Sequence, residues 1–139
     1  SDVLTVFLAM DTYVQLYQGG IIPLRQFIEM KKDRDVLVRL IVKKSPCKMV
    51  YTSMRNQRTD FPVIACAVSC IDGEYRASIG ARPSHAILLS AHTTSSAADF
   101  AAFVAEHTPT GGKPRGSAAY RAHLIRVLTE RCMTELGGM

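Results

Sequence analysis

The sequence predicts an α+β fold, and three observations support that class. Most of the strand-like runs lie between residues 12 and 80. The pair Asp72-Gly73 separates two of these runs, and Asp-Gly between apolar strands is a strong β-hairpin signal. Two segments with helical periodicity follow after residue 95. Strands followed by helices predict a sheet that is covered by helices on one face.

Length and composition restrict the class of protein. The chain has 139 residues, of which 47% are hydrophobic and 21% charged, so we expect a globular protein with a buried core. It contains no apolar run of about 18 residues that could span a membrane. The N-terminus lacks the basic residues that open a signal peptide. The chain begins in mid-pattern without Met, which indicates a fragment or a processed chain.

The first part of the chain predicts a small mixed unit. A helix over VLTVFLAM begins at Ser1 or Asp2, either of which can cap it. A strand over TYVQLYQ follows. In the next segment, IIPLRQFIEM, Pro23 marks the predicted start of a second helix. Residues 35–42 predict a strand that is apolar on both faces apart from Arg39.

A polar break, KKSPCK, ends this unit and divides the chain into predicted domains 1–44 and 45–139. Three strand-like runs follow the break: KMVYTSMRN, FPVIACAVSC and YRASIGA. Their short connections predict an antiparallel meander, that is, a three-stranded sheet.

Two helices complete the pattern. The first, in SSAADFAAFVAEH, has Ser96 and Asp99 at the spacing of a capping box. The second has Ser117 as its predicted N-cap and ends at Gly137-Gly138. Its predicted core stripe, flanked by Ile125 and Leu136, consists of Tyr120, Leu124, Leu128 and Cys132.

The nucleophilic and metal-binding residue types form no recognisable reaction centre. Cys66 and Cys70 share one face of a strand but are poorly spaced for one metal ion, so we interpret the cysteines as reduced core residues of a cytoplasmic protein. GxSxG, P-loop and GxGxxG patterns are absent. None of the four histidines has a Cys or Asp at a spacing that suggests a catalytic triad. These histidines are His85, His92, His107 and His123. The residues alone therefore favour a binding or interaction module over a self-sufficient enzyme.

Positive charge is the remaining polar feature. The net charge is +5 and the pI is about 9.2. A high pI indicates nucleic-acid binding only when a nucleic-acid-binding motif or a clustered basic patch accompanies it. RNP, KH and zinc-finger patterns are absent. The arginines of the last helix have three interpretations, which are nucleic-acid binding, partner contact and solvation. The segment MRNQRTDF and Arg82 each have two, a solvated loop or a loop that closes a cofactor pocket or faces a partner.

Several motifs occur in a fixed order along the chain. Arg58 and Asp60 stand in a basic loop before the small-residue strand AVS, and a DG hairpin and the turn GARP follow. The last helix carries RGSAAYRAHL, then VL, then Arg131. This set resembles the C-terminal part of the FAD-binding subunit of the molybdenum hydroxylases, which include the xanthine, carbon monoxide and nicotinate dehydrogenases.

The resemblance implies a fold and a division of the chain. Residues 1–44 would be the remainder of an FAD-binding α+β subdomain. Residues 45–139 would be a three-stranded antiparallel sheet packed with C-terminal helices, like the flavoprotein C-terminal domain of carbon monoxide dehydrogenase. The chain would then be the C-terminal half of such a subunit, and the glycine-rich FAD loops of the family would lie upstream of it.

The resemblance also implies cofactor-binding residues at three positions. Asp2 matches an Asp that contacts the cofactor, and Leu37 matches a strand Leu beside the flavin ring. In the family, a Lys just before the MRNQR segment often reaches the flavin. Here Thr52 is the best match to that position, the Lys is missing, and Lys48 is the nearby alternative.

The implied function is that of an electron-transfer subunit. The whole enzyme would oxidise a heterocycle or aldehyde at a molybdopterin centre, and electrons would pass through iron–sulfur clusters to FAD and then to an acceptor such as NAD. The implied partners are the iron–sulfur subunit, the molybdopterin subunit and the missing N-terminal half of the flavin subunit. This part alone is expected to be inactive, with no catalytic residue of its own. The alternative is a free-standing protein-interaction module without bound flavin.

Overall fold

The computed structural model describes residues 2–92, 95–112 and 114–137, so the Ser1 cap and the Gly138 part of the predicted helix end lie outside the described residues. It confirms the α+β class. The described elements are α1 Asp2–Ala9, β1 Thr12–Leu16, β2 Gly20–Pro23, α2 Leu24–Glu29, β3 Leu37–Val42, β4 Lys48–Met54, β5 Ile64–Ile71, β6 Glu74–Gly80, β7 Ile87–His92, α3 Ala97–Glu106 and α4 Ala118–Gly137.

The first sheet has the strand order β2-β1-β3, with both pairs antiparallel. Along β1 the buried residues Thr12, Val14 and Leu16 alternate with less buried ones, as expected for a strand with one face on the core. That face packs against Leu8 of α1 and Leu24 of α2. Strand β3 is bonded to β1 on one side and forms the edge of this sheet.

The second sheet has the strand order β4-β5-β6-β7 and is antiparallel throughout. The predicted hairpin is confirmed, because Ile71 pairs with Glu74 across the two-residue loop. Asp72 and Gly73 both have positive φ, 50° and 76°, as a type I′ turn requires.

Two strands were not expected from the sequence pattern. The predicted helix start at Pro23 is confirmed to within one residue, because α2 begins at Leu24, but Ile21 and Ile22 before it form the strand β2. The run from Ile87 to His92 forms β7, so the second sheet has four strands instead of the predicted three. Both are sheet-edge strands, where only one side needs a partner and the apolar alternation is weak.

The two faces of the second sheet are covered by different helices. The Cys66 thiol lies 3.6 Å from the Thr129 hydroxyl of α4, so the even-numbered residues of β5 face α3 and α4. Ser69 Oγ donates to the carbonyl of Ala9, so the odd-numbered residues face α1. Helix α1 thus lies against the second sheet while its Leu8 joins the core of the first. The division after residue 44 stays a prediction.

Helix α4 is capped as predicted, since Tyr120 N donates to Ser117 Oγ at 3.1 Å. Leu124, Leu128 and Cys132 are buried, but Tyr120 is 43% exposed, so its predicted place in the core stripe is wrong. The buried position in that turn is Arg121 instead, which is 2% exposed.

Arg121 joins three segments through backbone carbonyls. Its Nη1 donates to the carbonyls of Val63 at 2.8 Å and Ala81 at 2.6 Å, and its Nε donates to that of Gly116 at 3.3 Å. These bonds tie the start of α4 to the entrance of β5 and to the end of β6. The same bonds explain how a charged side chain can be buried, because the backbone carbonyls accept the hydrogen bonds that water would otherwise accept from the guanidinium.

Asp35 holds the β1–β2 turn against the start of β3, and this gives a pH-dependent prediction. Its carboxylate accepts from the amides of Gln18 at 2.9 Å, Gly19 at 2.7 Å and Val36 at 2.8 Å, and the bond from Gln18 is the largest influence that lowers the pKa of Asp35. A pKa lowered in the folded state stabilises the protein above the unfolded-state pKa, and that stability is lost as pH falls through the folded pKa.

We therefore expect Asp35→Asn to be less stable than the wild type at neutral pH in urea unfolding. The gap between the two proteins should narrow as pH falls below the ordinary pKa of an aspartate, and it should close once the wild-type carboxyl is protonated in the folded state as well. A gap that stays constant with pH would show that the charge of Asp35 is not what holds the turn.

Candidate functional site

An ion pair joins the start of α1 to the end of β4. Arg55 Nη2 donates to Asp2 Oδ2 at 2.7 Å, across 53 residues of sequence. The same guanidinium donates to Ser53 Oγ at 3.1 Å and to the carbonyl of Asp60 at 2.6 Å. The hydrogen bond to Asp2 is the main cause that raises the pKa of Arg55 above its usual value. Arg55 therefore positions both the Asp2 carboxylate and the 55–61 loop.

Strand register decides which side chains of β4 share a face with Asp2. Thr52 is directly opposite Cys66, and opposed residues of an antiparallel pair project to the same face. Thr52 thus lies on the face covered by α4, away from Asp2. Ser53, which is opposite Ala65, lies on the α1 face and is hydrogen-bonded to Arg55. The structure thus places Ser53 beside Asp2 and places the predicted Thr52 on the other side of the sheet.

Asp2 lines a cavity of about 450 Å³, called here the arginine cavity. Three guanidinium groups line it, those of Arg82, Arg115 and Arg121, together with the apolar side chains of Val3 and Phe61. Arg115 lies over the Phe61 ring at 5.2 Å, which is a cation–π contact. The Asp2 side chain is 41% exposed, so its carboxylate is accessible from this cavity.

Leu37 lines a second cavity of about 430 Å³, called here the β3 cavity. Its walls include the apolar side chains of Leu16 and Phe27, and also His85. Thr52 lines neither of these two cavities. The three residues implied by the resemblance are therefore not gathered around one cavity in this chain.

The segment 81–85 connects the two cavities. Arg82 lines the arginine cavity and donates to the carbonyl of His85, which lines the β3 cavity, at 2.7 Å. Ala81 and Ser84 have positive φ, 61° and 73°, which is uncommon for residues other than glycine. Arg121 holds the Ala81 carbonyl at 2.6 Å and so supports this backbone. Such conformations occur at functional sites, where the surrounding structure maintains them.

Sequence reasoning did not single out Ser53 or the backbone of segment 81–85. The available signal was the GARP turn after a strand, which marks a strand exit but not its φ angles. The MRNQRTDF loop, left open between two interpretations, is partly ordered by Arg55 and supplies Phe61 to the arginine cavity. Of the arginines at motif positions, Arg121 makes hydrogen bonds within the domain, which none of the three interpretations of the sequence included, whereas Arg131 is exposed.

In the described ranges, no group of three or more His, Cys, Asp or Glu residues is arranged to hold a metal ion. The four cysteines are free thiols. No helix within those ranges is long and apolar enough to cross a membrane.

No protein-family model matches the sequence, and no curated protein is significantly similar to it. Solved structures do match. Quinoline 2-oxidoreductase from Pseudomonas putida 86 aligns with 99% of this chain at 15% identity and a TM-score of 0.78. The reconstituted CO dehydrogenase from Oligotropha carboxidovorans aligns with 97% at 14% identity and a TM-score of 0.79. This chain has the fold of the matched part of these oxidoreductase chains.

A further CO dehydrogenase, from Hydrogenophaga pseudoflava and lacking the Mo-pyranopterin moiety of its molybdenum cofactor, aligns with 97% of this chain at 14% identity and a TM-score of 0.78. The resemblance indicated by the sequence motifs is thus confirmed at the level of the fold. The chain spans only 55–56% of the length of these three solved chains. Because nearly all of this chain is aligned, the elements around both cavities belong to the shared fold.

Proposed function

We propose that this chain is the C-terminal part of the FAD-binding subunit of a molybdopterin-dependent hydroxylase or dehydrogenase. The observation that carries the proposal is the fold shared over 97–99% of the chain with CO dehydrogenase and quinoline 2-oxidoreductase. In such an enzyme FAD takes electrons from iron–sulfur clusters and passes them to an acceptor such as NAD. The proposed partners are the iron–sulfur subunit, the molybdopterin subunit and the N-terminal half of the flavin subunit. The free thiols support a reducing, cytoplasmic location.

The residues around the two cavities fit one part of a flavin. A flavin ring is flat and largely apolar and carries an N–H donor on its pyrimidine edge. The Asp2 carboxylate is a suitable acceptor for that donor, and Val3 offers apolar surface in the same cavity. Leu37 lines the other cavity, so its contact with the flavin ring stays a prediction. The diphosphate needs backbone amides of the kind found in glycine-rich loops, and we assign that part of the site to the N-terminal half. FAD, when bound, supplies the electron-transfer chemistry.

Within this arrangement the residues of the chain bind and orient. Arg55 fixes the Asp2 carboxylate at the first turn of α1 through the 2.7 Å hydrogen bond from its Nη2. Ser53 lies on the same face and is hydrogen-bonded to Arg55, so we propose it as the residue nearest the role that the sequence motif suggested for Thr52. The assignment of that role to Thr52 stays a prediction from the resemblance. The segment 81–85 is held by Arg121 and joins the walls of the two cavities.

The experiment compares FAD occupancy in variants of the native assembly, measured by flavin absorbance per subunit and by FAD titration after the flavin has been removed. We expect Asp2→Asn to weaken FAD binding about 10- to 100-fold, because a hydrogen bond to a charged acceptor contributes about 1.5–3 kcal/mol. Asp72→Asn removes a carboxylate from an exposed turn that tolerates Asn and should bind FAD normally.

A second comparison separates the two β4 candidates. Ser53→Ala should weaken FAD binding, and Thr52→Ala should not, because Thr52 faces α4. The reverse result would restore the assignment to Thr52. A native assembly that contains no FAD would reject the proposal and favour the alternative, a protein-interaction module without flavin.

A further inference from the structure

Strand β3 combines an open edge with an apolar face that the described residues of the chain do not cover. Five of its six residues are apolar, and the exception is Arg39. Leu37, Leu40 and Val42 are 47%, 42% and 36% exposed. A strand of this composition is typical of a sheet interior, whereas natural edge strands are usually short or interrupted by charges.

The exposed side chains continue a face that is buried one strand away. Leu40 is directly opposite Val14, and Val42 is opposite Thr12, so these pairs project to the same side of the sheet. Val14 is fully buried beneath α1 and α2, and Thr12 is buried too. The covering helices therefore end between β1 and β3. The core of the first sheet is left incomplete along β3.

The open edge also offers backbone groups. Lys43 N donates to the carbonyl of Asp11, and in an antiparallel pair alternate residues point their N–H groups at the partner strand. The amides of Leu40 and Val42 therefore point away from β1. They are available to a further strand, which would bury both the polar edge and the apolar face.

We infer that β3 is the docking surface for the N-terminal half of the flavin subunit, which adds a strand to this edge and covers Leu40 and Val42. This docking surface rests on the proposed function, in which the N-terminal half of the flavin subunit is a partner of the chain. The solved chains of this fold support the choice of occupant, because nearly half of each lies outside the match, which covers 55–56%.

Hydrogen exchange tests the edge pairing. In the native assembly the amides of Leu40 and Val42 should exchange at least about 100-fold more slowly than in the isolated 139-residue chain, because pairing buries them. Fast exchange of both amides in the native assembly would overturn the inference. The FAD content of the same sample keeps the two proposals apart. Protected amides without FAD would reject only the flavin site, and FAD with unprotected amides would reject only the docking surface.

A matched pair of substitutions tests the apolar face. Leu40→Lys should leave the isolated chain folded, since the side chain is 42% exposed there, but should prevent assembly with the N-terminal half. Tyr120→Lys changes an apolar side chain of equal exposure on α4 and should assemble normally. Sedimentation of the isolated chain identifies the other occupant. A stable dimer that Leu40→Lys converts to a monomer would assign the surface to a second copy and overturn the inference.

Discussion

Replacing the buried Arg121 by Ala should destabilise the protein far more than replacing an exposed arginine of α4. The substitution leaves the carbonyls of Val63, Ala81 and Gly116 without their donor in a buried place. Each unsatisfied buried group costs about 1–3 kcal/mol, and partial access of water to Gly116 reduces the sum, so we expect a loss of about 3–5 kcal/mol. Thermal and urea unfolding of the purified protein measure it.

The control lies on the same helix. Arg126→Ala removes an exposed arginine and should change the free energy of unfolding by less than about 0.5 kcal/mol. Arg121→Lys keeps the charge but cannot reach three carbonyls in different directions, so it should recover only a small part of the loss. Equal effects of Arg121→Ala and Arg126→Ala would contradict the role assigned to the buried guanidinium.

The second large effect is expected at Gly80 of β6, which lies against Thr5 of α1. A Cβ at this position would overlap Thr5 Oγ1, and Gly80 itself is buried. Neither the strand nor the helix can yield without moving its own hydrogen bonds, so Gly80→Ala should cost about 2–4 kcal/mol in urea unfolding. Because α1 carries Asp2, the same variant should also bind FAD less tightly in the native assembly.

Gly112→Ala is the matched control, because a Cβ there meets no atom within 4 Å. A double-mutant cycle then identifies the cause. Thr5→Ala removes the overlapping oxygen and should make Gly80→Ala less costly than it is in the wild type. If the two substitutions are simply additive, the close approach of α1 to β6 does not explain the glycine.

The sequence predicted the elements whose signal is local. The Asp72-Gly73 turn requires two positive φ angles, and few residue pairs supply them, so the hairpin was identifiable from two letters. The caps Ser96 and Ser117 were identifiable in the same way, since each hydroxyl accepts from an amide three residues ahead.

The predictions that failed depend on the rest of the fold. Periodicity treats Arg as a surface residue, so it placed Tyr120 in the core and missed Arg121, whose burial depends on carbonyls from two distant segments. Strands β2 and β7 lie at sheet edges, where pairing on one side leaves a weak pattern. Strand β3 shows the opposite case, because its sequence predicts a covered strand and this chain leaves it open.

The candidate site was predictable only in part, for a related reason. The motifs pointed to Asp2 and Leu37, but the choice between Thr52 and Ser53 depends on strand register, which a single sequence does not specify. The positive φ angles at Ala81 and Ser84 depend on support from Arg121, which follows only from the tertiary structure.

We propose that this chain is half of a flavin subunit in a molybdenum enzyme, and the composition of the native assembly is the decisive test. The assembly should be purified through a tag on this chain, and its FAD, molybdenum and iron should be quantified per chain. We expect about one FAD per chain together with molybdenum and iron in the same complex. An assembly that contains this chain but has neither FAD nor molybdenum would contradict the proposed function.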